Sequence, residues 1–131
     1  MIAQEKFLAG KVALITGSSS GAGVEIAREL ARAGARIAVH YRQGAAVAEA
    51  TARAIAGEGG EARAFQADVA KSDDLRRLVD AVTQTLGPVS VLVNNAGPFA
   101  DTPLRTLAEN DWDYIMDANL KAVWLAAQCV A

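Results

Sequence analysis

Apolar and polar positions along this chain follow two periods in turn. Residues 11–16 hold the unbroken apolar run Val12-Ala13-Leu14-Ile15, the pattern of a strand buried on both faces. Residues 21–33 place Val24, Ala27, Leu30 and Ala31 on one helix face, and Gly34 follows as a left-handed stop. The alternation then repeats. Residues 35–41 predict a second strand, and residues 44–56 an Ala-rich helix closed by Gly57, Gly59 and Gly60. Residues 61–67 read as a third strand, less apolar than the others and so nearer an edge. Ser72 is a good N-cap, with Asp73 and Asp74 on the first turn of a helix. Its stripe is Leu75, Leu78, Val79, Val82 and Leu86, and Gly87 and Pro88 end it. Residues 89–93 predict the fourth strand. Thr106 and Glu109 have capping-box spacing, and a last helix from there puts Trp112, Ile115, Met116, Leu120, Val123, Trp124 and Ala127 on one side.

Strand and helix alternating four times predict an α/β fold, a parallel sheet with helices on both faces. Right-handed crossovers and a central first strand give the order 3-2-1-4, with a crevice where the order reverses, between the first and fourth strands. The chain has 131 residues, enough for one domain with a real core. A net charge of -2 argues against nucleic acid or an anionic membrane as the main partner. The single cysteine, Cys129, allows no internal disulfide and points to a reducing compartment, hence the cytoplasm. Residues 1–10 carry Glu5 and Lys6 and lack the long apolar core of a signal peptide. No apolar run approaches the roughly 20 residues that span a bilayer.

The candidate chemistry sits after the first strand, in Thr16-Gly17-Ser18-Ser19-Ser20-Gly21-Ala22-Gly23. A strand that ends in glycines and turns into a helix makes a phosphate site. The glycines admit a tight turn and close approach, and the first helical N–H groups have no partner within the helix. The helix dipole adds partial positive charge, so a pyrophosphate fits there. The spacing is G-x-x-x-G-x-G rather than G-x-G-x-x-G, and no Lys follows to make a Walker loop. Alone, such a loop is equally a flexible strand-to-helix turn. The second glycine-containing loop, Asn94-Asn95-Ala96-Gly97, follows the fourth strand and is predicted to meet the first at the crevice.

These residues resemble the short-chain dehydrogenase/reductase family. Thr16-Gly17-x-x-x-Gly21-Ala22-Gly23 resembles its cofactor loop, Asp68-Val69 its adenine-contacting pair, Asn94-Asn95-Ala96-Gly97 its loop after the fourth strand, and Asn119 the Asn of its catalytic tetrad. The resemblance covers nearly the whole chain and implies a Rossmann-type doubly wound sheet and hydride transfer between a nicotinamide cofactor and a small carbonyl or alcohol. It implies that Gly17, Gly21 and Gly23 turn the loop around the pyrophosphate, with hydroxyl or N–H bonds from Ser18, Ser19 and Ser20, which are also plain turn formers. Ala22 stands where the family usually has Ile. Asp68 would accept from the adenine amino group with Val69 packed beside it, or else cap the next helix. Asn95, Ala96 and Gly97 would pass the ribose and the nicotinamide side, while Asn94 braces the sheet. Asn119 would hold a water of the proton path. Residues 99–105 form a loop that could reach substrate.

Ser90 replaces an Asp that anchors a loop in many members, which would leave that loop less fixed. The family's Tyr-x-x-x-Lys pair is missing, since Ala45 and Ala118 stand four residues after Tyr41 and Tyr114. Residues 1–131 therefore read as one cofactor-binding domain, C-terminally incomplete, from an enzyme whose last helix also makes subunit contacts in a homo-oligomer. A non-catalytic dinucleotide-binding module and an inactive truncated product remain as alternatives. At the end of the second strand an NAD enzyme usually carries an acid for the ribose 2′-OH. Here Tyr41 and Arg42 stand there, and Arg suits a 2′-phosphate, so NADP(H) is expected over NAD(H). The alternative makes Arg42 an ordinary surface charge. His40, the only histidine, reads as a half-exposed strand end, and Cys129 as core or interface.

Overall fold

A computed structural model describes residues 5–131. The expectation about the amino terminus falls partly on residues 1–4, outside the described residues. Four strands, β1 (Val12–Ile15), β2 (Arg36–Tyr41), β3 (Glu61–Gln66) and β4 (Val91–Val93), form one sheet. All pairings are parallel and the order is β3-β2-β1-β4, as the alternation predicts. Helices α1 (Gly21–Arg32), α2 (Ala45–Gly57) and α3 (Ser72–Leu86) connect the strands, and α4 (Glu109–Met116) and α5 (Ala122–Val130) follow β4. A π-helical stretch, Asp117–Lys121, joins α4 to α5.

The strands alternate their side chains between two apolar layers, because successive residues point to opposite faces. Ala13, Ile15, Ile37 and Val39 pack against Ala27 of α1 and Ala48, Ala52 and Ile55 of α2. Val12, Leu14 and Ala38 pack on the other face with Leu75, Leu78, Val82 and Leu86 of α3 and Ala122, Leu125 and Ala126 of α5. All four β1 side chains are buried, which is why that strand has no polar position. β3 lies at an edge and alternates exposed and half-buried residues over most of its length, as its weaker apolar pattern predicts.

Three local expectations are corrected. Ser72 is the first helical residue, not the cap; Lys71 takes the cap position with no side-chain bond. The turn there is organised by aspartates instead: Asp74 accepts from the Asp68 N–H at 3.0 Å, and Asp68 accepts from the Ala70 N–H at 3.0 Å. Thr106 and Glu109 do not form a capping box. The Pro103 carbonyl accepts from the N–H of Thr106, from that of Leu107 and from the Thr106 hydroxyl, which closes a separate turn, and the helix starts only at Glu109. The large apolar stripe of the last helix does not face the core. Trp112, Leu120, Val123 and Trp124 are exposed, while the small residues Ala118, Ala122 and Ala126 with Leu125 face inward. Small side chains let the helix sit close to α3 and the sheet, and the large ones remain outside.

Candidate functional site

The glycine loop between β1 and α1 is held from three sides. Thr16, buried at the end of β1, accepts through Oγ1 from the N–H groups of Asn95 and Ala96, each at 3.0 Å. Its own N–H donates to the Val93 carbonyl at 3.0 Å. The Asn95 amide donates to the Gly17 carbonyl at 2.9 Å. The loops after β1 and β4 are thus bonded together at the carboxyl ends of their strands, where the strand order reverses. Asn95, not Asn94, does this bracing; Asn94 is exposed. Ser90 also ties in, accepting from the Val12 N–H at 3.4 Å and donating its N–H to the Val12 carbonyl at 2.9 Å, so its segment is anchored.

The glycines divide their work. Gly17 and Gly21 have φ of 65° and 56°, in the left-handed region that disfavours a side chain. Gly23 is needed for space. A Cβ there would lie 2.6 Å from Asn95 Nδ2, 2.8 Å from the Ser18 Cα and closer still to the Gly17 carbonyl oxygen. It lets the first turn of α1 press onto its own loop.

Ser18 is committed to the fold rather than to a ligand. It is fully buried, its hydroxyl donates to the Ile15 carbonyl at 2.7 Å, and its N–H donates to the His40 carbonyl at 3.1 Å. That corrects the expectation that its hydroxyl or N–H meets phosphate. Ser19 and Ser20 do line the cleft. Ser20 takes the cap position of α1 without a side-chain bond, so no side chain caps the first N–H groups of the helix beside the cleft. Ala22 is exposed on that first turn.

His40 is not a half-exposed strand end. It is 2% exposed. Its Nδ1 accepts from the Gly17 N–H at 2.8 Å, its Nε2 donates to the Ala67 carbonyl at 2.8 Å, and its backbone N–H donates to the Ser18 hydroxyl at 2.9 Å. Burial pushes the ring pKa below its ordinary value of 6.5, against smaller opposing effects of the Ala67 bond and the Asp68 charge.

A cleft of about 300 Å³ runs from this loop across the sheet end. Its walls bring together Tyr41, Arg42, Asp68, Val69, Asn95, Ala96 and Gly97, whereas Gly21, Ala22 and Gly23 of the expected cofactor set do not line it. Val69 is buried and Asp68 half-buried, its Oδ1 held by the turn that starts α3. Two residues join them unforeseen. Pro98 follows the second loop, and Tyr114 reaches the cleft from α4. The Arg42 guanidinium stands over the Tyr114 ring, 5.5 Å from its centroid, and the Gln66 amide holds the Arg42 carbonyl at 3.1 Å. Nothing in the periodicity of α4 marked Tyr114, whose partner lies on another element.

Asn119 lies in the π-helical stretch and is exposed. Its amide donates to the Pro98 carbonyl at 2.7 Å and to the Ile115 carbonyl at 2.9 Å. A Cβ on Gly97 would stand 2.7 Å from its Oδ1, so Gly97 makes room for it. π-Helical turns inside α-helices recur at functional sites. Phe99 and Leu104 of the following loop are almost fully exposed. Cys129 is half-buried against the α3 side of the core.

Among the described residues no group of His, Cys, Asp or Glu is placed to hold a metal ion, and no helix is long and apolar enough to cross a membrane. A second cavity of about 280 Å³, near Arg32, Ile55 and Glu58, lies at the other end of the strands and has no helix N-terminus facing it.

Comparison with known proteins bears on the whole of this arrangement. Residues 11–131 match the family model for short chain dehydrogenases. A 3-oxoacyl-acyl-carrier-protein reductase of Staphylococcus epidermidis is 42% identical over 120 residues, which are 92% of this chain and 49% of that protein. The chain spans about half the length of the curated relatives it matches. A blue fluorescent protein from a metagenomic library, solved with NADPH, superposes with a TM-score of 0.89 at 42% identity, over 94% of this chain and 51% of that one. A short chain dehydrogenase of Burkholderia cenocepacia, solved with NADP, gives 0.90 at 41% identity over 94% and 50%. The chain belongs to the short-chain dehydrogenase family.

Proposed function

We propose that this chain supplies the dinucleotide-binding part of an oxidoreductase that acts on a small carbonyl or alcohol, with NADP(H) preferred over NAD(H). The observation that carries the reading is the glycine loop, which runs through Ser19 and the uncapped Ser20 into α1 and lines a cleft shared with the loops after β3 and β4. Absence of a Cβ at Gly17, Gly21 and Gly23 makes the cradle, and a pyrophosphate on the first-turn N–H groups is stabilised by both hydrogen bonds and dipole. In this reading Ser19, Ser20, Gly21 and Ala22 lie along the pyrophosphate. Asp68 and Val69 meet the adenine, Tyr41 and Arg42 the 2′-phosphate, and Asn95, Ala96 and Gly97 the ribose toward the nicotinamide. When bound, the nicotinamide supplies the hydride chemistry. Asn119 sits where the second loop meets the π-turn and positions that end of the cleft; residues 99–105 would face the substrate.

Titration of the purified protein with NADPH tests this. Gly21→Asp is the informative variant, because Gly21 is exposed with no atom within 4 Å of an added Cβ. The new carboxylate would face the phosphates without a steric clash, and Gly21→Ala, which carries the same left-handed backbone strain without the charge, is its control. NADPH binding is expected to fall by more than tenfold, and equal binding by wild type and variant would overturn the reading. A binding module without catalysis is the second reading. Turnover of a ketone or aldehyde panel by the protein carrying this chain separates the two. The lone Cys129 supports a cytoplasmic protein, and the exposed Trp112 and Trp124 face supports a homo-oligomer.

A further inference from the structure

We propose that His40 is a positioning residue of the cofactor site, a neutral ring that locks the glycine loop to the loop after β3 and lets go when it is protonated. This rests on the dinucleotide reading above. The ring spans the two loops directly: Gly17 donates to Nδ1 and Nε2 donates to the Ala67 carbonyl, the residue before Asp68. The backbone adds a reciprocal pair, with Ser18 donating its N–H to the His40 carbonyl while the His40 N–H donates to the Ser18 hydroxyl. The imidazole is buried and forms part of the cleft floor.

The chemistry permits one protonation state. A neutral imidazole has one donor and one acceptor nitrogen. A carbonyl facing Nε2 and an N–H facing Nδ1 assign the proton to Nε2. A second proton on Nδ1 would set two donors against each other, 2.8 Å apart. The Gly17 N–H would have to turn away, and Gly17 also carries the carbonyl that accepts from Asn95. One proton on one ring therefore loosens the bonds that join all three cofactor loops.

The charged and titratable groups around the ring come from three elements. Asp68 stands on the loop after β3, Tyr41 and Arg42 at the end of β2, and Tyr114 on α4. The glycine loop brings serines only, and the loop after β4 brings Asn95. Asp68 favours the charged ring, but burial outweighs it and holds the ring neutral into the acid range. Cofactor affinity is therefore whole near pH 7 and is lost as pH falls below 6.5 toward the ring's lowered pKa.

His40 is the only histidine of these 131 residues, and loss of its signal in His40→Asn assigns it. Nitrogen NMR of tag-free protein labelled at histidine reads the tautomer directly. The Nε2–H form at pH 7 is expected, and the Nδ1–H form would overturn the proposal. Acid-stable NADP⁺ is then titrated by calorimetry between pH 5 and 8 into wild type and His40→Asn. The Asn carbonyl can still accept from Gly17 and does not titrate. At pH 7.5 the two proteins are expected to bind within a few-fold of each other. As pH falls the wild type is expected to lose on the order of tenfold relative to the variant, the worth of a hydrogen bond or so. The ratio cancels titration of the 2′-phosphate. A ratio that stays flat overturns the proposal, and so does a wild type that gains at low pH, since a cationic ring would then be attracting phosphate. Wild type that binds no NADP⁺ at any pH overturns the dinucleotide reading and this proposal with it, whereas good binding with a flat ratio overturns this proposal alone.

Discussion

Replacing Gly23 by Ala puts a methyl group in place of a hydrogen at the most crowded point of the glycine loop. The added carbon would stand 2.6 Å from Asn95 Nδ2 and 2.8 Å from the Ser18 Cα, with the Gly17 carbonyl oxygen nearer still. Two of those three neighbours are backbone, so no side-chain rotation relieves the contact. Either α1 lifts from its loop or the Asn95 to Gly17 bond opens. Overpacking of this kind costs about 1–3 kcal/mol. Loss of the amide bond adds about 0.5–1.5 kcal/mol. The gain in helix propensity from Gly to Ala, at most about 1 kcal/mol, offsets part of it. The net is a loss of about 2 kcal/mol, or roughly 5–10 °C in melting temperature for a domain of this size. NADPH affinity should fall about 30-fold if the same displacement is felt by the cradle.

Two companion variants isolate the cause. Gly21→Ala carries only the left-handed backbone penalty, since its φ is 56° and nothing lies within 4 Å, so about 1–2 kcal/mol is expected. Gly57→Ala, at the end of α2 with open space and no positive φ, should be neutral or stabilising by up to about 1 kcal/mol. Thermal melts and NADPH titrations on the three proteins read both effects. The reasoning fails if Gly23→Ala melts and binds like wild type, or if Gly57→Ala is as damaging as Gly23→Ala.

Arg42→Ala should cut the preference for NADPH over NADH in kcat/KM by tenfold or more, and an unchanged ratio would return Arg42 to the role of surface charge. Tyr114→Ala should weaken NADPH binding about two- to fivefold by freeing the guanidinium that its ring holds, while Tyr114→Phe keeps the ring and the affinity; equal effects of the two would remove the cation–π contact from the account. The 131-residue chain by itself should sediment above monomer mass, because β4 pairs on one side only and Trp112, Leu120, Val123 and Trp124 are exposed. Trp124→Lys should shift it toward monomer, and a sharp monomer boundary for the unaltered chain would contradict the idea.

The sheet was legible because its rules are local. Four runs of strand length, each followed by a helical period and the first three of those closed by glycine, leave little choice but a parallel sheet with two covered faces. The order β3-β2-β1-β4 follows from handedness. The last helix was misread for a related reason. Its large apolar residues dominate any pattern, yet burial went to Ala118, Ala122 and Ala126, whose small size admits close approach. Hydrophobic spacing identifies a stripe, and the largest stripe need not be the inward one when an alanine face competes with it. The π-turn at Asp117–Lys121 was likewise invisible, and so was the bond that Asn119 within it makes to Pro98 on a distant loop.

The site divides along the same line. Positions defined by what is missing could be read directly: a glycine written between a strand and a helix announces a turn or a close approach, and Gly17, Gly21 and Gly23 have one or the other. Positions defined by a partner far along the chain could not. Ser18 looks like its two serine neighbours, but only it turns inward, because the end of β2 lies beside it and offers a carbonyl and an N–H in register. Thr16 joins residues some eighty positions away through one hydroxyl. His40 sits at a strand end where most histidines would be wet, and it is dry because the glycine loop and the loop after β3 converge over it. These are the groups that give the glycine loop its shape, and a loop with the same glycines but without them would have the freedom to turn and nothing to hold the turn. The glycines therefore say where a dinucleotide can approach, and the buried Thr16, Ser18, His40 and Asn95 bonds decide whether the cradle is formed before it arrives.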